Sequence, residues 1–190
     1  TYLRIIMSQG LLQNAAIRDL QVDGNQAQQT GFTNAGNGGA ILLGRSEQVA
    51  IERVVARNAN GQGIQIVAPV GSVSSKIRVE GCFVSNCQGD GNSGIGIQVS
   101  QFERLIVSGN IVQDTVGNGI DLYGENDTDR SSASNFIVSD NIITNADNGI
   151  FPETSRSGIV TGNTMTQCRS AGIRINRING APSLLQIVNN

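Results

Sequence analysis

The sequence predicts an all-β solenoid in which short strands stack coil upon coil. Three observations predict it. Apolar and polar residues alternate in runs of about five, the period of a half-buried strand. The runs are separated by Gly, Asn, Asp and Ser, and Gly alone numbers 24 of the 190 residues. The pattern also returns: V-x-[GD]-N-x-[IM], a short polar gap, then G-I. No run keeps the i, i+3, i+4, i+7 spacing of an amphipathic helix over three turns.

The copies can be followed in order. They are IRDLQVDGN with GGAIL, IERVVARNANGQGIQI, VEGCFVSNC with SGIGIQV, VSGNIVQDTVGNGIDL, VSDNIITNADNGIF and VTGNTMTQCRSAGIRI. IVNN begins another at the end. A strand of about five residues cannot bury a face alone, so the copies must stack. Two or three short strands per copy then make a single-stranded parallel β-helix of about six to seven coils. One position reads Leu20, Val54, Cys82, Asn110, Asn141, Asn163 and Asn190, at intervals of 22 to 34 residues. Asn tolerates the left-handed backbone of a tight bend, so this row is expected to occupy equivalent bends. Each amide would bond the next coil, a partial Asn ladder confined to the C-terminal half.

Length and composition set further bounds. The 190 residues suffice for one domain with a sizeable core, taken as residues 1–190. The start at Thr1 and the interrupted IVNN copy suggest a piece of a longer chain. Lys and Arg total 13 against 15 Asp and Glu, and Arg18, Arg53, Arg57, Arg78 and Arg104 are scattered. No basic footprint for nucleic acid results. No apolar run approaches the roughly 20 residues of a membrane span, so no membrane partner is expected. Cys82, Cys87 and Cys168 lack zinc spacing, and the chain has no His, so no His-containing metal site or triad forms within it. The thiols read as small buried or half-buried side chains.

These repeats resemble the right-handed parallel β-helices of the pectin-lyase-like superfamily, and AAIRDLQVDGN is similar to an early coil of its secreted enzymes and phage tailspikes. The resemblance covers nearly the whole chain. It implies three strands per coil, with the Asn ladder between the second and third. Leu105–Val107 is then a second strand, Ile111–Val112 a third, and the G-I-x-I segment the first strand of the next coil. In enzymes of this superfamily the substrate groove usually runs along the first-strand sheet. The first strands become Ala40–Leu43, Gly63–Val67, Gly94–Val99, Gly119–Tyr123, Gly149–Glu153 and Gly172–Asn176.

Alternation then orients the side chains. Ile120 and Leu122 point inward, so Asp121 and Tyr123 point outward. The same count turns out Phe151 and Glu153, then Arg174 and Asn176, with Gln65 upstream and Gln98 or Gly96 between. Stacking joins them into one two-column patch with two carboxylates, two aromatics and a guanidinium. Asp121 and Glu153 fall on the order of 8 Å apart, the range an inverting glycosidase needs. Asp121, Glu153 and Arg174 are the catalytic candidates. Tyr123, Phe151, Asn176 and Gln65 are the substrate-binding candidates, with the exposed aromatics as stacking platforms. The competing reading is a solvated outer face of mixed polar residues.

Two insertions flank this face. Gly124–Ser134 carries Glu125, Asp127 and Asp129, oxygen ligands of the kind Ca²⁺ takes, without EF-hand spacing. A plain solvated loop is the simpler reading. Asn25–Gly38 lies on the opposite rim.

Family machinery narrows the chemistry without closing it. NGID and RIN (Arg174–Asn176) echo two motifs of polygalacturonase-like hydrolases, whose paired Asp and His are missing here. Mannuronan epimerases also use a His. Calcium-dependent lyases need clustered carboxylates and a basic residue, which Asp121, Glu153 and Arg174 match. Tailspike glycanases use paired carboxylates. The resemblance thus implies a carbohydrate-binding or polysaccharide-degrading domain, hydrolase or lyase, of a phage tailspike or secreted depolymerase. Its setting would be extracellular or virion-associated, and a homotrimer would follow the tailspike pattern. The alternative is a non-catalytic structural or adhesin shaft, because fold alone does not fix function.

Overall fold

The computed structural model describes residues 6–8, 10–28, 39–89, 93–124, 133–176 and 184–190. Its strands form three parallel sheets. The first contains Ile6–Ser8, Ile41–Leu43, Ile64–Val67, Ile97–Ser100, Ile120–Tyr123, Asn148–Glu153 and Ala171–Ile173, adjacent in that order. The second contains Leu12–Arg18, Ser46–Glu52, Ser74–Glu80, Phe102–Ser108, Ala133–Ser139, Ser155–Thr161 and Leu184–Val188. The third contains Gln21–Asp23, Val55–Asn60, Phe83–Gln88, Ile111–Thr115, Ile142–Thr144 and Thr164–Thr166. Every strand pairs with its equivalent one coil away, so this is a single-stranded parallel β-helix with three strands in each complete coil.

The core follows from register. Ile41, Ile64, Ile97, Ile120 and Ile150 align coil after coil, each without solvent exposure. Burying such a side chain contributes roughly 1.5–3 kcal/mol, so this one column is a large part of what holds the first sheet to the others. Phe102 and Phe136 meet edge to face inside, with ring centroids 6.1 Å apart.

The two-residue link between second and third strands departs from expectation in one respect. The left-handed residue is the first of the two: Asp19, Arg53, Gly81, Gly109, Asp140 and Gly162 have φ between +52° and +67°. The ladder residue follows it and does not take that conformation. Its job is different, because its amide must turn inward and bond. Asn141 shows the pattern. Its Oδ1 accepts from the Asn110 N–H at 3.0 Å and from Asn110 Nδ2 at 2.9 Å. Its Nδ2 donates to the Val107 carbonyl at 3.0 Å and to Asn163 Oδ1 at 2.8 Å. Asn110, Asn141 and Asn163 are buried, yet their amides find partners on both sides, which removes the cost of burying them. At the start of the row, Asn110 Oδ1 accepts from the Cys82 N–H at 2.9 Å, and the Cys82 thiol lies 3.6 Å from the Ile51 carbonyl. Burial pushes the Cys82 thiol up, and pushes Cys87 up to about 12.

The glycine of four G-I pairs, Gly63, Gly96, Gly119 and Gly149, has a steric reason. A Cβ on Gly119 would lie 2.7 Å from the Gly149 carbonyl and 2.5 Å from Ile143 Cγ2. Gly63, Gly96 and Gly149 are equally crowded by the coil that follows. The third strand therefore turns into the first only where no side chain intervenes.

The scattered arginines of the early coils are engaged on the outer surface. Glu52 takes Arg18 at 2.8 Å and Arg78 at 2.9 Å, Asp19 takes Arg53 at 2.7 Å, and Asp23 takes Arg57 at 3.2 Å.

Candidate functional site

The first sheet carries two outward columns. Register aligns Leu42, Gln65, Gln98, Asp121 and Phe151, and the Ile150–Ile173 pair puts Arg174 next. The second column runs Val67, Ser100, Tyr123 and Glu153, with Asn176 following. Gln98, not Gly96, is thus the residue between Gln65 and Asp121. The strand there is Ile97–Ser100 rather than Gly94–Val99, because Gly94 has a left-handed backbone (φ +75°) and belongs to the preceding turn. The last first-strand is Ala171–Ile173, so Arg174 and Asn176 lie just past its end, with the Arg174 N–H still donating to the Ile150 carbonyl at 2.9 Å.

The columns are not the open solvated face that alternation suggests. Asp121 is 4% exposed and Phe151 6%. Phe151, expected to be exposed, is covered because the Arg174 guanidinium stacks 4.9 Å above its ring. Asp121 is covered because segments of the neighbouring turns rise beside it. Together they enclose a cavity of about 680 Å³, lined among others by Val116, Asn118, Asp147 and Asn148 on one side and Asp121, Tyr123, Phe151, Glu153, Arg174 and Asn176 on the other.

Burial decides the charge state of Asp121. Loss of solvent pushes its carboxyl from the ordinary 3.8 up to about 7, and the neighbouring Glu153 charge adds to the rise. The amides of Gln98 and Asn118 pull it down. Gln98 Nε2 donates to Oδ2 at 3.4 Å, while Oδ1 is buried without a partner. Glu153 is steadied by Asn176, whose Nδ2 donates to Oε1 at 3.1 Å. Among the described residues Arg174 forms no ion pair; its guanidinium stands over Phe151, and the residue lines the cavity.

All the sequence candidates around Asp121 therefore gather in one cavity, except Gln65. Gln65 sits two coils away but joins through a relay: its Nε2 donates to Gln98 Oε1 at 2.8 Å, and Gln98 donates to Asp121. Sequence reasoning missed Asn118, Asp147 and Asn148. Asn148 Nδ2 donates to Asn118 Oδ1 at 2.8 Å and to Asp147 Oδ2 at 3.0 Å, and Ser170 Oγ donates to Asp147 Oδ1 at 2.7 Å. The signal was the N-G-I triplet, present in two successive copies. Among the described residues no group of three or more carboxylates or thiols is placed to hold a metal. Residues 125–132 and 29–38, the bulk of the two flanking insertions with Glu125, Asp127 and Asp129, lie outside the described residues.

The sequence matches the family described as right handed beta helix region over residues 5–131. No solved structure matches the chain.

Proposed function

We propose that this chain, which belongs to the right-handed β-helix family, binds a polysaccharide in the groove over its first sheet and cleaves it hydrolytically. One observation carries the reading: a buried carboxyl that holds its proton near neutrality stands beside a second carboxylate in a cavity with a stacked aromatic and a guanidinium. Asp121 is the general acid. Its proton passes to the glycosidic oxygen as the carbon–oxygen bond breaks. Glu153 is the base and takes a proton from the water that adds to the sugar carbon. Their separation of about 8 Å, from the spacing of diagonal strand neighbours, leaves room for that water and favours inversion. Arg174 holds a hydroxyl or anionic group of the chain. Asn176 fixes Glu153, and Tyr123 and Phe151 give the groove its aromatic surface.

The test is incubation of the purified protein with neutral and acidic glycans, reading new reducing ends, unsaturated products and the anomer first released. Hydrolysis with inversion is expected, falling as pH rises past about 7, where Asp121 loses its proton. Asp121→Asn and Glu153→Gln should each abolish cleavage while the protein still unfolds cooperatively. Cleavage that survives both substitutions removes the assignment. Unsaturated products would instead favour a lyase. Binding without cleavage would leave a carbohydrate-binding shaft.

A further inference from the structure

A second cavity of about 290 Å³ adjoins the first and shares Gln98 and Tyr123 with it. Gln65, Ser100 and Gln101 line it on one side, and Val67, Pro69 and Val70 form an apolar wall. Three of its lining residues carry a buried oxygen without a partner: Gln65 Oε1, Ser100 Oγ and Gln101 Oε1. Their residues are 6%, 4% and 3% exposed. Orphaned buried polar atoms are costly and rare, and three at one cavity call for an explanation beyond folding. The relay explains the direction of one of them. Gln98 commits its Nε2 to Asp121 and its Oε1 to Gln65 Nε2, which leaves Gln65 Oε1 with no donor to accept from.

We infer that this second cavity is a subsite for an uncharged, hydroxyl-rich sugar ring, placed next to the Asp121–Glu153 centre on the side of the earlier coils. The inference rests on the reading of the groove as a saccharide site. Two amide oxygens that only accept and a hydroxyl that does either suit a ligand with hydroxyl groups, which a sugar brings. The apolar wall suits the C–H face of a pyranose. Among the described residues no Asp, Glu, Lys or Arg lines the cavity, whereas Asp121, Asp147, Glu153 and Arg174 all belong to the neighbouring one. A uronate here would lose its hydration with no cation among the described residues to meet it. The groove thus divides into a charged centre and a neutral flank, and the matching polymer carries an uncharged unit beside the one that is cleaved.

The test uses a glycan array spanning neutral chains, mixed neutral and uronate chains, and uronate homopolymers, with affinities then measured for the glycans retained. Retained glycans are expected to contain an uncharged ring. Ser100→Ala separates the two roles of the site. Deleting an unpartnered buried hydroxyl should leave the fold as stable or more so, yet binding should weaken about threefold to tenfold, the worth of one hydrogen bond. Unchanged affinity in Ser100→Ala, or retention of uronate homopolymers alone, overturns the second cavity while leaving the charged centre intact. Retention of no glycan by the wild-type protein overturns both.

Discussion

Replacing Asp121 by Asn should make the stability of this protein less dependent on pH, and the size of the change follows from where the carboxyl sits. In the unfolded chain it titrates near 3.8, and in the fold burial and Glu153 raise it to about 7. Below about pH 4 both states hold the proton, and the folded-state preference is present in full. As pH rises the unfolded chain gives up its proton first, so stability falls until the folded carboxyl also ionises near 7. A rise from 3.8 to about 7 corresponds to about 4 kcal/mol lost across that window. Asn has nothing to lose. Chemical unfolding of both proteins at intervals from pH 4 to 8 should show near-equal stability at the acid end. Asp121→Asn should then gain on the wild type by about 4 kcal/mol by pH 8. Asp19 and Asp23 are held low by Arg53 and by Asn25 respectively, and they act in the opposite sense, but they are common to both proteins and cancel. Glu153→Gln should reduce the slope without abolishing it, since burial is the larger cause. A difference between wild type and Asp121→Asn that stays flat across the range would show the carboxyl to be solvated, and the general-acid assignment would go with it.

Three further substitutions probe the scaffold. Asn141→Ala removes the acceptor of both Asn110 donors and should cost about 2–5 kcal/mol in an unfolding titration, because the Asn110 N–H is left buried and unpaired. Cys82→Asn should be tolerated and stabilise by about 1 kcal/mol, extending the ladder one coil toward the Ile51 carbonyl that the thiol now approaches; a lowered unfolding midpoint would refute this. Gly119→Ala should destabilise by about 1–3 kcal/mol or more through overpacking against the Gly149 carbonyl, read as a drop in thermal midpoint.

The fold was legible because its constraints repeat. Period-2 alternation gives the direction of every side chain, and stacking gives the neighbours, so Asp121, Phe151, Glu153, Arg174 and Asn176 could be brought together from the sequence. Depth was not legible. Whether Asp121 meets water depends on Val116, Asn118 and Asn148, which belong to turns of variable length and rise beside the sheet only in three dimensions. The same limit hid Phe151 under Arg174, since alternation says which face a ring takes and nothing about what lies over it. The ladder bends were misassigned by one residue because Asn, Asp and Gly share the left-handed preference, and only the amide hydrogen bonds separate the residue that bends from the residue that bonds. A surface row was missed for a related reason. Asn58, Asn86, Asp114 and Asn145 all have positive φ, and Asn86 donates to Asn58 and Asn145 to Asp114, but in the sequence they are four among many polar residues.

The glycines that let each third strand turn into the next first strand have a consequence for how such a groove changes over generations. Each meets the following coil through the same main-chain contact, so the junction does not record which coil lies beyond it. These junctions are therefore indifferent to the order of the coils, while the groove is defined by it. Excising the one coil from Gly119 to Asn148 would close on an equivalent glycine, Gly149, and would set Phe151 against Gln98 where Asp121 now stands. Duplication or loss of a single repeat can in this way rewrite the chemistry of the surface in one step, although the interior would have to adjust where Phe136 now packs between Phe102 and Gly158.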